Sequence, residues 1–322
     1  MYRIRKLLAA ASIGGLLGYN EHSSTELNPS ILRNVTSKLS GFTTSIEPLL
    51  FAANAKSLPN SNVVTNNLST DERQQRLQKR AGIMKYGYPT LDNIIQYEDH
   101  VLAYSNIHKA PLWVCEHLAS YNVDKKDETV TRVQSKFRPD ESVYPVFRSQ
   151  NKDYLNSGYD RGHLAAAANH KQSQTAMNDT FFLSNICPQT GKGLNRSKWN
   201  NLEKRGRTLA RKHSSVHVLT GPLYLPTVIG NEKFVKYKLI GDNNVAVPTH
   251  FYKAIVAQSS KGGYHLECYV MPNEEIRDDV PISSFLVPKY AIEKGAGYFV
   301  FEFIADSQYK TINGLPNPDF IQ

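Results

Sequence analysis

The chain of 322 residues contains little cysteine and no Cys-x-x-Cys motif. Its three cysteines, Cys115, Cys187 and Cys268, cannot all pair with one another. The sequence therefore argues against a disulfide-rich scaffold and against a zinc site built on clustered cysteine ligands. Each cysteine has apolar neighbours in the sequence, so we expect three small buried side chains. Internal repeats are also absent, which excludes a repeat architecture.

Acidic residues are the minority charge, since 38 Lys and Arg stand against 29 Asp and Glu, for a formal net charge of +9. An excess of this size favours a polyanionic partner. Hydrophobic residues make up 40% of the chain and aromatic residues 10%. This apolar content is enough for a folded core, so a wholly disordered chain is excluded.

The first twenty residues contain no acid, but they carry Arg3, Arg5 and Lys6 ahead of an apolar run. That run is shorter than the ~20 residues needed to cross a bilayer. Residues 1–20 are therefore predicted to be a targeting presequence, mitochondrial or secretory, or a short membrane-anchor-like segment that associates transiently with an inner membrane. Residues 21–75 are rich in Asn, Ser and Thr, and we expect a flexible polar linker there.

Residues 76–310 are predicted to form the folded domain, and residues 311–322 a loose C-terminal tail. Apolar β-formers predict six strands, namely His100–Tyr104, Pro111–Leu118, Val216–Leu219, Phe234–Ile240, Pro248–Ala257 and Tyr264–Met271. The expected turns are Gly221-Pro222, Gly241-Asp242 and Lys261-Gly262-Gly263. Helices are predicted at Lys198–Lys212 and Pro288–Lys294, the second ending before Gly295. The pattern indicates an α+β domain with a mostly antiparallel sheet and packed helices.

Basic residues dominate residues 185–212, where Glu203 is the single acid. The basic residues there are Lys192, Arg196, Lys198, Lys204, Arg205, Arg207, Arg211 and Lys212. Such a segment would attract a phosphodiester backbone. An ordinary solvated helix face is the alternative interpretation.

Asn195, Trp199 and Glu203 are spaced by four residues each, so on an α-helix they share one face. Asn195 stands near the predicted helix start, where it could cap the helix. Its amide oxygen could equally be a ligand of Mg²⁺, which is bound through few protein oxygens. The spacing alone leaves both interpretations open.

His163 lies in Asp-Arg-Gly-His, followed by a compact alanine run. Cleavage of a phosphodiester needs a base to activate water, and a neutral imidazole suits this near pH 7. Gly162 is expected to let the backbone turn tightly. His170 is a rival base, but we assign it a structural role.

The segment resembles the DNA/RNA non-specific endonucleases of the ββα-metal (His-Me finger) class. The motifs that carry the resemblance are DRGH (160–163), LAAAANH (164–170), TFFLSN (180–185), GLN (193–195), WNNLEK (199–204), TGPLYLP (220–226) and NNVAVPTHFYK (243–253). WVCEHL (113–118) and KFRPD (136–140) fit as well. The resemblance implies a ββα active-site element and sequence-non-specific hydrolysis of DNA and RNA backbones.

Residue roles follow from the same resemblance. His163 matches the general base, Asn195 the direct Mg²⁺ ligand and Glu203 the carboxylate that orients water bound to the metal. Asn185 matches an active-site asparagine, Arg132 an arginine near the scissile phosphate, and Asp160 and Arg161 support the site. Contacts to nucleic acid are expected from Arg132, Lys192, Arg196 and Lys198.

The resemblance also implies Mg²⁺ as cofactor, with Mn²⁺ as a substitute, a homodimer, and a mitochondrial location in the intermembrane space with a role in apoptotic DNA degradation. A secreted sugar-non-specific nuclease is the main alternative. The sequons Asn195-Arg196-Ser197 and Asn178-Asp179-Thr180 disfavour it, because a glycan on Asn195 would block the metal site. A nucleic-acid-binding protein without catalytic activity is the other alternative.

Overall fold

The computed structural model describes residues 69–124 and 127–321. The predicted presequence and nearly all of the predicted linker lie outside the described residues. The first described element is helix α1, Thr70–Ile83. Ser69 and Glu72 form a capping box at its start, each side chain accepting a hydrogen bond from the other residue's backbone N–H. This helix begins within the residues predicted to be a flexible linker, a few residues before 76.

The helices and strands follow one another along the chain with few long gaps. After α1 the helices are α2 (Ser120–Asp124), α3 (Asn151–Tyr154), α4 (Gln174–Asp179), α5 (Asn200–Lys212) and α6 (Lys289–Ala296). The strands are β1 (Ile94–Gln96), β2 (His100–Ser105), β3 (Ala110–Leu118), β4 (Asp160–His163), β5 (Ile186–Gln189), β6 (Ser215–Leu223), β7 (Thr227–Ile229), β8 (Glu232–Phe234), β9 (Leu239–Ile240), β10 (Val245–Ala246), β11 (His250–Gln258), β12 (Tyr264–Pro272), β13 (Tyr309–Ile312) and β14 (Leu315–Pro316).

Eight strands form the main sheet, in the spatial order β1-β2-β3-β6-β11-β12-β13-β14. All neighbours are antiparallel except β12 and β13, which are parallel. Three hairpin-like pairs, β4–β5, β7–β8 and β9–β10, lie outside this sheet. This architecture confirms the predicted α+β class with a mostly antiparallel sheet.

Both faces of the main sheet are covered, which explains why its central strands are buried along most of their length. Alternate side chains of β11 belong to different cores: Phe251 and Ile255 pack with Trp199 and Leu202 on one face. Tyr252, Ala254 and Val256 pack on the other face, with Ile292 of α6. Helix α5 and the β4–β5 pair therefore lie on the Phe251 face, which is the side that carries the candidate site.

Two local predictions of strands and turns are wrong. Gly221-Pro222 is not a turn but the end of β6, where Pro222 pairs with Phe251 of β11. The pairing of β6 with β3 ends at Thr220, so Pro222 extends past the last residue that β3 contacts. Phe234–Ile240 is not one strand, because the chain leaves the β7–β8 hairpin and then pairs as β9 with β10.

The C-terminal residues are also more ordered than expected. β13 and β14 extend the main sheet, and the backbone N–H of Ile321 donates to the carbonyl of Ser307. The tail predicted at 311–322 is therefore part of the domain through residue 321. Helix α6 runs to Ala296, so Gly295 lies inside it rather than beyond its end.

Membrane-spanning structure is not found in the described part of the chain, where every helix is too short or too polar to cross a bilayer. The three cysteines are free and buried, as expected.

Candidate active site

Strands β4 and β5 and the helix that follows them form a compact β-β-α unit. His163 ends β4 and pairs with Ile186 of β5, and Asp160 begins β4 opposite Gln189. The sequence predicts a tight turn at Gly162, but this residue lies inside β4. A Cβ on it would lie 2.0 Å from the Gln189 side-chain oxygen, so the glycine permits the close contact between the two strands. The unit thus sets both ends of the DRGH motif against the helix.

The helix begins after a sharp kink. The segment Gly191–Trp199 is helical except at Lys192 and Gly193, and it continues directly into α5. Gly193 has φ +75°, and a Cβ at this position would lie 2.4 Å from backbone atoms of Ile276. Only glycine fits this close approach at a positive φ. The kink sets the direction in which the next residues, beginning with Leu194 and Asn195, enter the helix.

Replacing Gly193 with alanine is expected to destabilise the domain by about 2 kcal/mol or more, because the left-handed conformation alone costs an L-residue about 1–2 kcal/mol and the Ile276 backbone must also move. Urea unfolding followed by circular dichroism measures the change. Gly230→Ala is the matched control, because Gly230 also has a positive φ but has no atom within 4 Å of the added Cβ. Equal losses in the two variants would show that the contact with Ile276 is unimportant.

Asn195 is oriented by its side-chain amide rather than by capping. Its Nδ2 donates to Oδ2 of Asp160 at 2.9 Å, and its backbone N–H donates to the carbonyl of Thr190. Because a carboxylate only accepts hydrogen bonds, this contact fixes which end of the amide is nitrogen. The amide oxygen therefore points away from Asp160. This arrangement favours the ligand interpretation over the cap.

Asp160 is held by more than Asn195. Arg196 donates to both of its carboxylate oxygens, at 2.8 and 2.6 Å. These hydrogen bonds from Arg196, together with the one from Asn195, outweigh partial burial and keep the pKa of Asp160 below its usual value. Asp160 is therefore ionised and binds both Asn195 and Arg196.

His163 is tied to the same helix through its backbone. Its carbonyl accepts a hydrogen bond from Nε1 of the buried Trp199 at 3.2 Å. Trp199 and Asn195 therefore contact the two ends of β4 from one helix face, as their spacing predicts. His163 and Asn195 are thereby held on one short unit.

The imidazole of His163 packs between Phe137 and Phe181, and 8% of the residue is exposed. Its Nε2 is buried without a hydrogen-bond partner. Burial, helped by the positive charges of Arg132 and His170, lowers the pKa of His163 to about 3. The ring is therefore neutral at physiological pH, which is the form a general base needs.

Two arginines flank this histidine. The exposed Arg132 places its guanidinium 5.4 Å from the Phe181 ring centroid, and the described residues include no ion pair that engages it. Arg161 lies two residues before His163 on β4, with its guanidinium 5.2 Å from the Phe137 ring centroid and its Nε buried without a partner. Both cations therefore border the imidazole through the aromatic side chains that pack on it.

Glu203 lies two turns after Asn195, among charges of both signs. Burial raises the pKa of Glu203 to about 7, although the nearby cations Lys253 and Arg207 favour its charged form. The nearby carboxylate of Glu116 also raises the pKa of Glu203. Glu203 is half-buried, and Arg132, which borders His163, is among the cations that favour its charged form.

Asn185 lies behind the site, fully buried. Its side chain accepts a hydrogen bond from the Ala165 N–H and donates to the carbonyls of Ala165 and Thr180. All these partners are backbone groups, so its contacts are those of a residue that holds the chain just after His163. Its catalytic assignment stays a prediction.

Three of the four side chains expected to contact nucleic acid bind other groups of the protein. Lys198 is 5% exposed and its ammonium donates to the carbonyl of Asp278, so it does not lie on an open surface, and its predicted contact to nucleic acid is corrected. Arg196 pairs with Asp160, and the exposed Lys192 pairs with Glu275. Only Arg132 keeps the free, outward position that the sequence predicts for all four.

A buried polar network below the site was not predicted. His170 hydrogen bonds Glu116 at 3.0 Å through Nε2 and Asp99 at 3.4 Å through Nδ1. Asn169 joins it, donating to Glu116 and accepting from Arg207. The sequence signal was the acid in WVCEHL, since an alternating buried strand rarely carries an unpaired carboxylate. The structural role assigned to His170 agrees with these contacts, although its surroundings are far more polar than its sequence neighbours suggest.

The hydrogen bonds of His170 with Asp99 and Glu116 predict that the stability of the domain depends on pH. Burial opposes the charged ring, but the hydrogen bonds to Asp99 and Glu116 outweigh it and raise the pKa of His170 to about 9. Its contribution is therefore complete below the unfolded value near 6.5 and is lost as the pH rises through about 9. We expect the stability difference between wild type and His170→Gln to shrink by on the order of 1 kcal/mol or more between pH 7 and pH 10. Urea titrations at both pH values measure it, and a constant or growing difference would contradict the charged pair.

Metal ligands of the usual clustered kind are not found in the residues that the structure describes, where no group of three or more His, Cys, Asp or Glu side chains could hold an ion. A cation at this site would rest on the amide oxygen of Asn195 and on water, as Mg²⁺ does where few protein oxygens are offered.

The chain is similar to known nucleases. Residues 79–307 match the family model of the DNA/RNA non-specific endonucleases. The chain is 49% identical to mitochondrial endonuclease G of Caenorhabditis elegans over 224 residues, which covers 69% of this chain and 72% of that protein. It is 45% identical to human mitochondrial endonuclease G, covering 67% and 71%. The mitochondrial nuclease of Saccharomyces cerevisiae is 38% identical, covering 79% and 77%.

A solved structure is also similar. The chain in the crystal structure of the EndoG/EndoGI complex superposes with a TM-score of 0.73 at 49% identity, covering 74% of this chain and 97% of that one. The family match spans most of the described domain and includes β4, β5 and α5. The chain therefore belongs to the DNA/RNA non-specific endonuclease family and is a hydrolase that acts on nucleic acids.

Proposed function

We propose that this chain cleaves DNA and RNA backbones without sequence preference, with His163 as general base and Mg²⁺ held at Asn195. One observation supports the proposal above all others. The hydrogen bond from Nδ2 of Asn195 to Asp160 occupies the amide nitrogen, so the amide oxygen can bind a cation. The same short unit carries His163, whose carbonyl is bound by Trp199.

The residues present fit a hard divalent ion. Asn195 supplies a neutral oxygen, and Glu203 on the same helix face would hold water around the ion. When bound, Mg²⁺ would stabilise negative charge on the phosphoryl and leaving oxygens. Metal dependence is a property of the family, and the choice of Mg²⁺, with Mn²⁺ as a substitute, is our proposal.

His163 would take the proton of the attacking water. Because Nε2 is buried, Nδ1 is the nitrogen that can reach that water. The low pKa keeps the ring neutral before the reaction. When the proton arrives, the ring becomes charged beside Arg132, and the phosphate of the substrate compensates this unfavourable pair of cations.

Arg132 would bind the phosphate next to the cleaved bond. Its exposed guanidinium lies against Phe181, which also contacts the imidazole. An arginine in this position neutralises charge that develops on the phosphoryl oxygens. Contacts to phosphate carry no base information, which accounts for the lack of sequence preference. Asp160 would support this arrangement by orienting Asn195, while Arg161 would add positive charge behind His163.

The test uses the purified full chain with supercoiled plasmid and with single-stranded RNA, each with Mg²⁺, with Mn²⁺ and with EDTA. We expect both substrates to be cut with either ion and neither to be cut in EDTA. Cleavage that persists in EDTA would contradict the metal proposal. Tight binding of nucleic acid without cleavage would support the catalytically inactive alternative.

We also propose a mitochondrial location, in the intermembrane space, and a homodimer. The mitochondrial location is supported by the acid-free basic N-terminus and by the names of relatives in three organisms. The intermembrane space and the homodimer rest on the family resemblance alone. Cell fractionation with N-terminal sequencing of the mature protein separates this from secretion. Light scattering after size exclusion reports the dimer, and a monomer at micromolar concentration would contradict it.

A further inference from the structure

A lysine in the middle of the main sheet is the most unusual side chain below the site. Lys253 lies at the centre of β11 and is 2% exposed. By the alternation of the strand it projects on the same face as Phe251 and Ile255, toward α5. A buried ammonium group is costly unless other groups compensate its charge. Its neighbours should therefore show its role.

The contacts of Lys253 lead to the catalytic helix. Its Nζ donates to Oγ1 of Thr220, directly opposite on β6, at 2.6 Å. The same Nζ lies 4.8 Å from the ring centroid of Trp199. A cation over an indole face is attracted by the ring, and more strongly so in a desolvated place. Lys253 thus joins the sheet to Trp199, the residue that binds the His163 carbonyl.

The charges that compensate Lys253 are carboxylates, and one of them belongs to the site. Burial lowers the pKa of Lys253, and the nearby carboxylates of Glu116 and Glu203 only partly offset this effect. Glu116 already hydrogen bonds Asn169 and His170 through Oε1. Lys253 is in turn the strongest of the cations that favour the charged Glu203. Lys253 therefore lies near both carboxylates, Glu116 of the buried network and Glu203 of the candidate site.

We propose that Lys253 is a positioning residue of this nuclease, which holds Trp199 from below and places a positive charge near the Glu203 carboxylate on the same helix face. The proposal rests on the function proposed above, because Glu203 matters only if the site cleaves nucleic acid. Lys253 has no access to solvent and does not touch substrate. Its loss should therefore change the rate of cleavage rather than the binding of nucleic acid.

The experiment is a double-mutant cycle in the full chain with Lys253→Met, Glu203→Gln and the combined variant. Methionine keeps most of the volume of lysine and removes the charge. We expect Lys253→Met to lower kcat roughly ten- to a hundredfold while KM for nucleic acid changes by less than about twofold. In the combined variant the fold loss in kcat should be at least about fivefold smaller than the product of the two single losses. The two substitutions disrupt the same interaction, so their effects are not independent.

Thr220→Val provides a second, milder variant if Lys253→Met does not fold, since it removes only the hydrogen-bond acceptor. It should lower kcat severalfold and also be non-additive with Glu203→Gln. Arg205→Met is the matched control, because Arg205 is on α5 but pairs with Glu267. Its effect, if any, should be independent of Glu203→Gln.

The outcomes separate the two proposals. A wild-type chain that does not cleave nucleic acid with Mg²⁺ overturns the proposed function, and this inference with it. An active wild type with additive losses, with a raised KM at unchanged kcat, or with a Thr220→Val variant of normal kcat overturns the positioning role alone. Circular dichroism melting of every variant excludes unfolded protein as the cause.

Discussion

Replacing His163 with alanine will lower the rate of plasmid cleavage at least about a hundredfold, the scale typical for loss of a positioned base. The ring is neutral, lies at the end of β4 and is the imidazole that the β-β-α unit presents beside Asn195. No other histidine in the described chain sits on that unit. Initial rates of supercoiled plasmid loss at saturating Mg²⁺ measure the effect.

His213→Ala is the control for this variant, because His213 follows α5 and contacts His265 rather than the site. It should cleave at close to the wild-type rate. Since His163 packs on Phe137 and Phe181, the melting temperature of His163→Ala must be compared as well. A folded His163→Ala variant within threefold of wild type would remove His163 from the mechanism.

Replacing Asn195 with alanine will raise the metal concentration needed for half-maximal cleavage by about tenfold or more. Loss of a residue that only hydrogen bonds a metal ligand already lowers metal affinity by about that factor, and Asn195 is assigned as the ligand itself. The variant removes the only protein oxygen that we assign directly to the ion. It also leaves Asp160 with Arg196 as its remaining partner. Activity measured across a Mg²⁺ titration, from micromolar to tens of millimolar, gives the shift.

Asn201→Ala on the exposed side of α5 is the matched change of the same residue type. Its Mg²⁺ dependence should follow that of wild type. If Asn195→Ala lowers stability but keeps the wild-type metal dependence, the side chain serves only to fasten the helix to β4 through Asp160.

Local patterns predicted the elements that depend on near neighbours. The apolar β-formers at His100–Tyr104 and Pro111–Leu118 predict two strands, and these strands, β2 and β3, pair with each other in the structure. The face shared by Asn195, Trp199 and Glu203 follows from helix geometry, and the contacts of Asn195 and Trp199 with β4 bear it out. Such features are set within one or two turns of chain, so a single sequence can show them.

Contacts between distant segments could not be read in this way. Lys198 seemed part of a basic surface, but the chain near Asp278 covers it. A loose tail was predicted at 311–322 because the strand that pairs with this segment, β12, lies more than forty residues earlier in the chain. The use of Asp160 as the acceptor for both Asn195 and Arg196 likewise depends on how β4 meets the helix.

The buried charges are the clearest case of this limit. Lys253 in FYKAIVA and Glu116 in WVCEHL each interrupt an apolar strand, and that interruption is visible in the sequence. Their relation to each other and to Glu203 arises from strands β3, β6 and β11 lying side by side. The sheet order cannot be deduced from these local patterns.

The most direct test of the site is to find the cation itself. Crystals of the protein soaked in Mn²⁺, which has a usable anomalous signal, should show one strong peak within coordination distance of the Asn195 amide oxygen, on the side away from Asp160 and facing His163. A site at Asn195 that stays empty while Mn²⁺ binds elsewhere, or a peak on the Asp160 carboxylate, would contradict this account.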